Sequence, residues 1–383
     1  MFFGARSAPY MVGVASTPRK VWPKAIRRAP LTMPVARWIR RLALAGVLLC
    51  FVVVVLGAYV RLNAAGLGCP DWPGCYGHVT PLGAANNVAA QAAFPNRPLD
   101  TGKAWKEMVH RYAAGTLVLI VVGITVLGIA NRRRKLLSVP YVAALLATIV
   151  VQAALGMLTV TQLLKPLIVT LHLVFGMTTL ALLWWLWLAL PTRSWGGMAM
   201  HNGGRAAFNG GSGGGSAGVA MRFAYRLALV GLVALAIQIT LGGWTSSNYA
   251  AVACPDFPTC QNSLWPHADF KNAFVLWHGL GINYEGGILD NPARVAIHLT
   301  HRLGALVATL ALATAAVFVV LRKTIATAVP AAYAVLGALA LQLTIGISMV
   351  LKAFPLRLTT AHTAGAALLL LATLTLVRRV SVR

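Results

Sequence analysis

The chain has 383 residues, of which 58% are hydrophobic and only 10% are charged, and its mean hydropathy is +0.73. This composition excludes a soluble globular protein and predicts one that crosses a membrane several times. The net charge of +26 does not indicate nucleic-acid binding. The basic residues stand in short runs between apolar segments, as they do in cytoplasmic loops of membrane proteins.

Residues 1–41 are rich in arginine and lysine and contain no acidic residue. Such a start is typical of an organellar transit peptide, but also of a basic cytoplasmic tail or of a reading frame that begins later, with Met33 as the alternative start. We favour the latter two and expect residues 1–41 to be a basic cytoplasmic tail.

Eight apolar segments follow, each long enough to cross a bilayer as a helix of about 20 residues. Basic runs come after the second, fourth, sixth and eighth segments, which predicts that both termini are cytoplasmic. The long connections 62–106 and 246–293 are then on the outer side. The expected spans are residues 42–61, 107–130, 140–162, 167–190, 223–245, 294–321, 328–350 and 357–377.

The segments form two halves, 42–190 and 223–377, which a Gly/Ser-rich cytoplasmic linker at 191–222 separates and a basic tail at 378–383 follows. The halves repeat at a nearly constant offset, and four spans per half give both repeats the same orientation. We therefore predict an all-α membrane protein of two tandem, parallel-repeat four-helix bundles. The matching residues are Leu56-Gly57 with Leu241-Gly242, His110-Arg111 with His301-Arg302, Gln152 and Gly156 with Gln342 and Gly346, and His172 with His362.

Each long connection carries two cysteines at the same spacing, Cys69 with Cys75 and Cys254 with Cys260. Paired loop cysteines indicate an oxidising compartment, which agrees with the outer side. Disulfides there would stiffen a lid over the mouth of each bundle, or act only as structural staples without a redox role.

Four histidines lie at membrane depth near the outer ends of even-numbered spans: His110, His172, His301 and His362. One facing pair in each four-helix bundle is the arrangement that holds a haem iron. One alternative is that these histidines form hydrogen bonds between helices. Another is a zinc site, but zinc takes four ligands and the cysteines are too distant to supply the missing ones. The duplicated positions favour haem.

Glu107 is the one acidic residue that we place at a span, and it shares a helix face with His110. Ionisable groups at membrane depth are costly and are functional candidates. In the second half His298 stands at the position that corresponds to Glu107. Three roles are open for it: a residue that supports His301, a spare ligand, or a simple polar contact. Three arginines could pair with haem propionates or only reach the membrane interface: Arg61, Arg111 and Arg302.

Four stretches stand out in combination: VRLNAAGLGCPDWP at 60–73, EMVHR at 107–111, GGWTSSNYA at 242–250 running on to CPDFP at 254–258, and IHLTHR at 297–302. Together they resemble the heme A synthases of respiratory bacteria, in the subgroup with cysteine pairs in both outer loops. The likeness covers residues 38–380, and the histidines of the fourth and eighth spans fit it too. One departure is Asn-Ala-Ala-Gly at 63–66, where a Thr-Gly-Ser-Gly-like run is common.

The resemblance implies an oxidoreductase of the bacterial inner membrane that oxidises the C8 methyl of heme O to a formyl group through successive hydroxylations, giving heme A for cytochrome c oxidase. It implies that His301 and His362 hold haem b, that His110 and His172 receive heme O, and that Glu107 is catalytic. Heme O synthase and oxidase assembly factors are implied partners beside the lipid bilayer, and a homo-oligomer is left open.

Two other functions fit four histidines in pairs. A diheme cytochrome b would only transfer electrons, and a haem transporter or chaperone would use the pairs as intermediate binding sites. Neither explains why one half has Glu107 where the other has His298. Only a synthase would change the chemical identity of the haem.

Overall fold

The computed structural model describes residues 32–134, 136–190 and 216–381 and consists of helices and connecting loops. Within these ranges, eight helices are long and apolar enough to cross a membrane, which confirms the predicted all-α polytopic fold. They are α1 (Thr32–Leu62), α2 (Thr101–Ala130), α3 (Val139–Thr161), α4 (Pro166–Ala189), α5 (Ser216–Ser247), α6 (Asn291–Leu321), α7 (Val329–Leu351) and α8 (Leu356–Val380).

Several helices begin before the apolar segments that predict them. α1 begins at Thr32 rather than at residue 42, and α2 at Thr101 rather than at 107. Hydropathy marks only the apolar part of a helix, whereas polar turns continue it to a cap: the Asp100 side chain accepts the N–H of Lys103 at 3.0 Å. Of the predicted tails and linker, residues 1–31, 191–215 and 382–383 lie outside the described residues.

The four long helices of each half contact one another in a closed ring, in which every helix touches the next and the fourth touches the first. The order is the same in α1–α4 and in α5–α8, as a tandem repeat requires, although the repeat itself is inferred from the sequence. The halves meet where α8 contacts α1 and α4, and where α4 contacts α5. A continuous apolar core fills these contacts.

Both long connections lie at one end of the bundles, which we call the cysteine-loop side. The predicted cysteine pairs are at disulfide distance, with S–S separations of 2.04 Å for Cys69–Cys75 and 1.97 Å for Cys254–Cys260. The first connection contains short helices at Pro81–Ala85 and Val88–Ala92, and the second contains Ala251–Ala253 and Phe270–Ala273.

The second connection also reaches across to the first half. The Lys165 side chain is only 2% exposed, donates from Nζ to the carbonyl of Gly279 at 2.6 Å, and lies 3.2 Å from the ring centroid of Trp277. The backbone N–H of Tyr284 donates to the carbonyl of Leu163 at 3.1 Å. The corner between α3 and α4 is therefore covered by residues of the other half.

Candidate functional site

A single cavity of about 1450 Å³ runs through both halves. It is larger than the roughly 300–1,000 Å³ of common ligand pockets and, like them, has mostly apolar walls. Trp72 and Pro73 of the first cysteine loop and Phe257 of the second line it, so both loops border the cavity. All the polar site residues predicted from the sequence line it: Arg61, Glu107, His110, Arg111, His172, His298, His301, Arg302 and His362.

Each of the four paired histidines packs its ring against a glycine of a neighbouring helix. A Cβ at Gly57 would lie 3.1 Å from Cε1 of His110, and one at Gly242 would lie 3.2 Å from Cε1 of His301. The equivalent separations are 3.2 Å for Gly156 with His172 and 3.0 Å for Gly346 with His362. A side chain at any of these glycines would push the ring, so the glycines help to set the position of the imidazoles.

The histidines are arranged in pairs, and in the second half the ring centroids of His301 and His362 are 6.5 Å apart. Two imidazoles that bind one metal ion from opposite sides through bonds of about 2 Å bring their centroids to roughly 6 Å. The observed separation therefore fits a haem iron between the two rings. Among the described residues no cluster of three or more histidine, cysteine or acidic side chains could hold a metal ion.

Several buried polar atoms around the rings lack hydrogen-bond partners in the described part of the chain. They include Nδ1 of His110, His172 and His362, and Oε1 of Gln152 and Gln342. Because buried unpaired polar groups are costly, such a group of atoms is expected where a ligand completes the site. The paired buried imidazoles fit haem, whose iron would take one nitrogen of each ring and leave the other nitrogen in need of a partner of its own.

Glu107 lies where the cavity wall meets the first cysteine loop. Its side chain is 4% exposed, and Oε2 accepts the backbone N–H of Cys69 at 2.9 Å. Oε1 forms an ion pair with Arg111, one turn further along α2. The carboxylate is thus held in one position, beside the cavity and one turn before His110.

His298 occupies the corresponding place in the second half and is also 4% exposed. Its ring packs near Phe354, with 6.5 Å between the centroids. Its Nδ1 has no hydrogen-bond partner among the described residues. Of the acidic residues of the chain, only Glu107 lines the cavity. The carboxylate is therefore confined to one half of a site whose histidines are duplicated.

Comparison with known proteins agrees with this geometry. Residues 40–374 match the protein family described as cytochrome oxidase assembly protein. The chain is 40% identical to the heme A synthase of Shewanella oneidensis over 345 residues, which cover 88% of this chain and 94% of that protein. The chain belongs to the heme A synthase family. It is also 25% identical to the heme A synthase of a Chelativorans species over 348 residues, or 87% and 88% of the two chains.

In this member of the heme A synthase family, Arg111 and Arg302 connect α2 and α6 to the cysteine loops. Nη1 of Arg111 donates to the carbonyls of Asp71 at 2.9 Å, Pro73 at 3.3 Å and Gly74 at 2.5 Å. Arg302 likewise donates to four carbonyls of the second loop, those of Cys254, Asp256, Pro258 and Thr259. The arginines hold the loops over the cavity; their pairing with propionates stays a prediction.

Arg61 connects the two halves of the synthase fold. It extends from the end of α1, and Nη2 donates to the carbonyl of Ser246 at 2.9 Å. Its guanidinium carbon lies 3.9 Å from the ring centroid of Tyr249. Nε of Arg61 and the hydroxyl of Tyr249 are buried without partners in the described ranges, and both residues line the cavity. The sequence motif includes Tyr249 but does not indicate this contact.

Proposed function

We propose that this chain is a heme A synthase that converts heme O to heme A for cytochrome c oxidase. In this reaction two successive hydroxylations of the C8 methyl, each a two-electron oxidation that draws on an external oxidant and oxygen donor, give a geminal diol, which loses water to leave a formyl group. The observation that carries the proposal is the position of Glu107, a single carboxylate in a cavity with duplicated histidine pairs. Family membership and the 40% identity to a heme A synthase support it.

His110 and His172 would bind the substrate heme O, and His301 and His362 would hold a resident haem b. When bound, haem b supplies one-electron transfer. The glycine-backed rings fix the ligand nitrogens, the apolar walls exclude water, and the arginine-held loops close the mouth. Arg61, Arg111 and Arg302 line the cavity and would place positive charge near the haem propionates.

Glu107 would manage protons at the methyl group that is oxidised. Cys69 N–H and the guanidinium of Arg111 each occupy one carboxylate oxygen, and each oxygen keeps a further lone pair that can face the cavity. A carboxylate held in this way can accept a proton or orient a hydroxyl or water without moving. The second half has no such group at His298, which is consistent with a role in electron transfer.

The orientation follows from charge and redox chemistry. We propose that the cysteine-loop side faces outward from the bacterial inner membrane, because disulfides form in oxidising compartments. Basic residues concentrate at the opposite end, at 132–134 and 378–379, as expected of cytoplasmic ends. Heme O synthase and oxidase assembly factors are the partners that such a position would allow.

The experiment is haem extraction and chromatography from membranes of a host that makes heme O but no heme A, with and without this chain. Heme A that appears only with the chain is the expected result. Bound haem b beside unchanged heme O, at equal expression, would overturn the proposal and favour a diheme cytochrome. Recovery of heme O alone in the purified protein would favour a haem carrier.

A further inference from the structure

His301 differs from the other three paired histidines in having a side chain against its Nδ1. The amide nitrogen of Gln238, on α5, lies 3.0 Å from that atom and donates to the His301 carbonyl, also at 3.0 Å. Nδ1 of His110, His172 and His362 has no partner within the described ranges. Gln152 and Gln342 approach the rings of His172 and His362 on the other nitrogen, Nε2, at 3.5 and 3.3 Å.

The amide of Gln238 needs space that a glycine provides. A Cβ at Gly304, one turn after His301 on α6, would lie 2.4 Å from Oε1 of Gln238. This distance is shorter than real Cβ contacts allow, so any larger residue at 304 would displace the amide. Gln238 and Gly304 therefore form one arrangement, which needs both residues.

The first half lacks this arrangement at the matching positions. Gln238 stands four residues before the ring-contacting Gly242, and the residue four before Gly57 is Val53. The residue three after His110 is Ala113, where the second half has Gly304. Val53 has no polar side-chain atom to offer an imidazole. His110 is thus the one paired histidine without a glutamine beside its ring.

A neutral imidazole that binds a metal ion through one nitrogen carries its proton on the other. In a buried site that N–H needs an acceptor, and Oε1 of Gln238 is buried without another partner among the described residues. Rotation of the amide would present its oxygen to that N–H with almost no change in shape, at the expense of the amide's hydrogen bond to the His301 carbonyl. Such a partner fixes the ring and raises its basicity, and its removal typically costs about 10–100-fold in metal affinity.

We propose that Gln238 is a positioning residue for His301 that makes the second half retain its haem, whereas His110, whose ring has the backbone of Val53 but no side-chain amide beside it, lies in the half that exchanges substrate for product. The inference rests on the proposed function, because it explains how two similar sites would serve as a resident and an exchanging site. It predicts that retention can be moved between the halves by exchanging these residues.

The test uses the full chain in two backgrounds, so that each half is measured alone. Replacing His110 and His172 by Ala leaves haem only in the second half, and replacing His301 and His362 leaves it only in the first. In each background we would measure the rate at which haem passes from the purified protein to a haem-scavenging apoprotein, and the reduction potential of the bound haem.

In the second-half background, Gln238→Met should speed haem loss about 10–100-fold and raise the reduction potential, because a less basic imidazole stabilises ferric iron less. Gln238→Glu, which offers a stronger acceptor, should retain haem at least as well as the wild type and lower the reduction potential. In the first-half background, Val53→Gln with Ala113→Gly should slow haem loss, a gain that misfolding cannot produce.

Unchanged haem loss and potential in Gln238→Met would overturn the inference, as would a Val53→Gln/Ala113→Gly variant that releases haem as fast as its background. These results are independent of heme A formation. If the parent chain makes no heme A in the host described above, the proposed function fails, while the retention measurements still decide the role of Gln238.

Discussion

The comparison of Glu107→Gln with Glu107→Ala separates the chemical role of this carboxylate from its structural role. Glu107 accepts the buried N–H of Cys69 and pairs with Arg111. A glutamine keeps an oxygen for the Cys69 N–H, whereas an alanine leaves that donor unpaired at a cost of about 1–3 kcal/mol. In both variants Arg111 keeps its hydrogen bonds to three carbonyls of the loop. Loss of the ion pair should therefore destabilise the protein by less than the roughly 3–5 kcal/mol expected when a buried charge loses all its partners.

If Glu107 handles protons, both variants should lose about 10²–10⁴-fold in the rate of heme A formation. Glu107→Gln should keep normal haem content and a protease-resistant 62–106 loop, and Glu107→Ala should show a loosened loop in addition. The assay is chromatography of extracted haems, normalised to the haem bound by the purified protein, with limited proteolysis of the loop.

A matched control is Asp100→Asn, which removes an acidic charge from the start of the same helix and keeps a good N-cap. Asp100 is exposed and caps α2 through Lys103 N–H, so this variant should convert heme O at the wild-type rate. Wild-type conversion by Glu107→Gln would refute the reasoning and make Glu107 a structural anchor of the loop.

Three further predictions concern the second half. Gly242→Val should displace the His301 ring that it contacts and lower haem content in that half, whereas Gly337→Val, with no atom within 4 Å of an added Cβ, should not; absorbance of the purified variants measures both. Arg302→Ala should destabilise the second loop by at least about 1.5–3 kcal/mol, because hydrogen bonds from a charged donor to four carbonyls are lost, and protease cleavage within 246–293 should accelerate. The Thr259 hydroxyl and two backbone N–H groups hold the pKa of Asp256 below its usual 3.8. Its contribution to loop stability is therefore complete above pH 3.8 and is lost as the pH falls further, so cleavage by an acid-active protease should rise there in the wild type but not in Asp256→Asn.

The eight membrane-spanning helices could be predicted from hydropathy because a span needs a long apolar run, which the sequence displays directly. The ends of the helices were harder to predict from the sequence. α2 begins at Thr101 through a polar turn that Asp100 caps, and α5 already begins at Ser216, next to a Gly/Ser-rich run. At α2 this capping hydrogen bond continues the helix beyond the apolar residues that the pattern detects, and α5 likewise begins before its apolar run.

The candidate site was predictable where the repeat made residues stand out. The four histidines occur at duplicated positions, and all of them line one cavity. Gln238 was missed because its repeat mate is Val53, so the repeat gives no signal there, and because its contact depends on space left by Gly304 on another helix. The loop contacts of Arg111 and Arg302 were missed for a related reason: the sequence does not indicate how each loop folds back over its helix.

The cover that the second half places over Lys165 has a consequence for biosynthesis. The ribosome completes α4 before it makes Gly279 and Trp277, the partners of this ammonium group. Until then Lys165 must stay hydrated at the membrane surface, since a buried cation without partners is costly. The burial of Lys165 in the first half is therefore completed only after the loop of the second half has been translated.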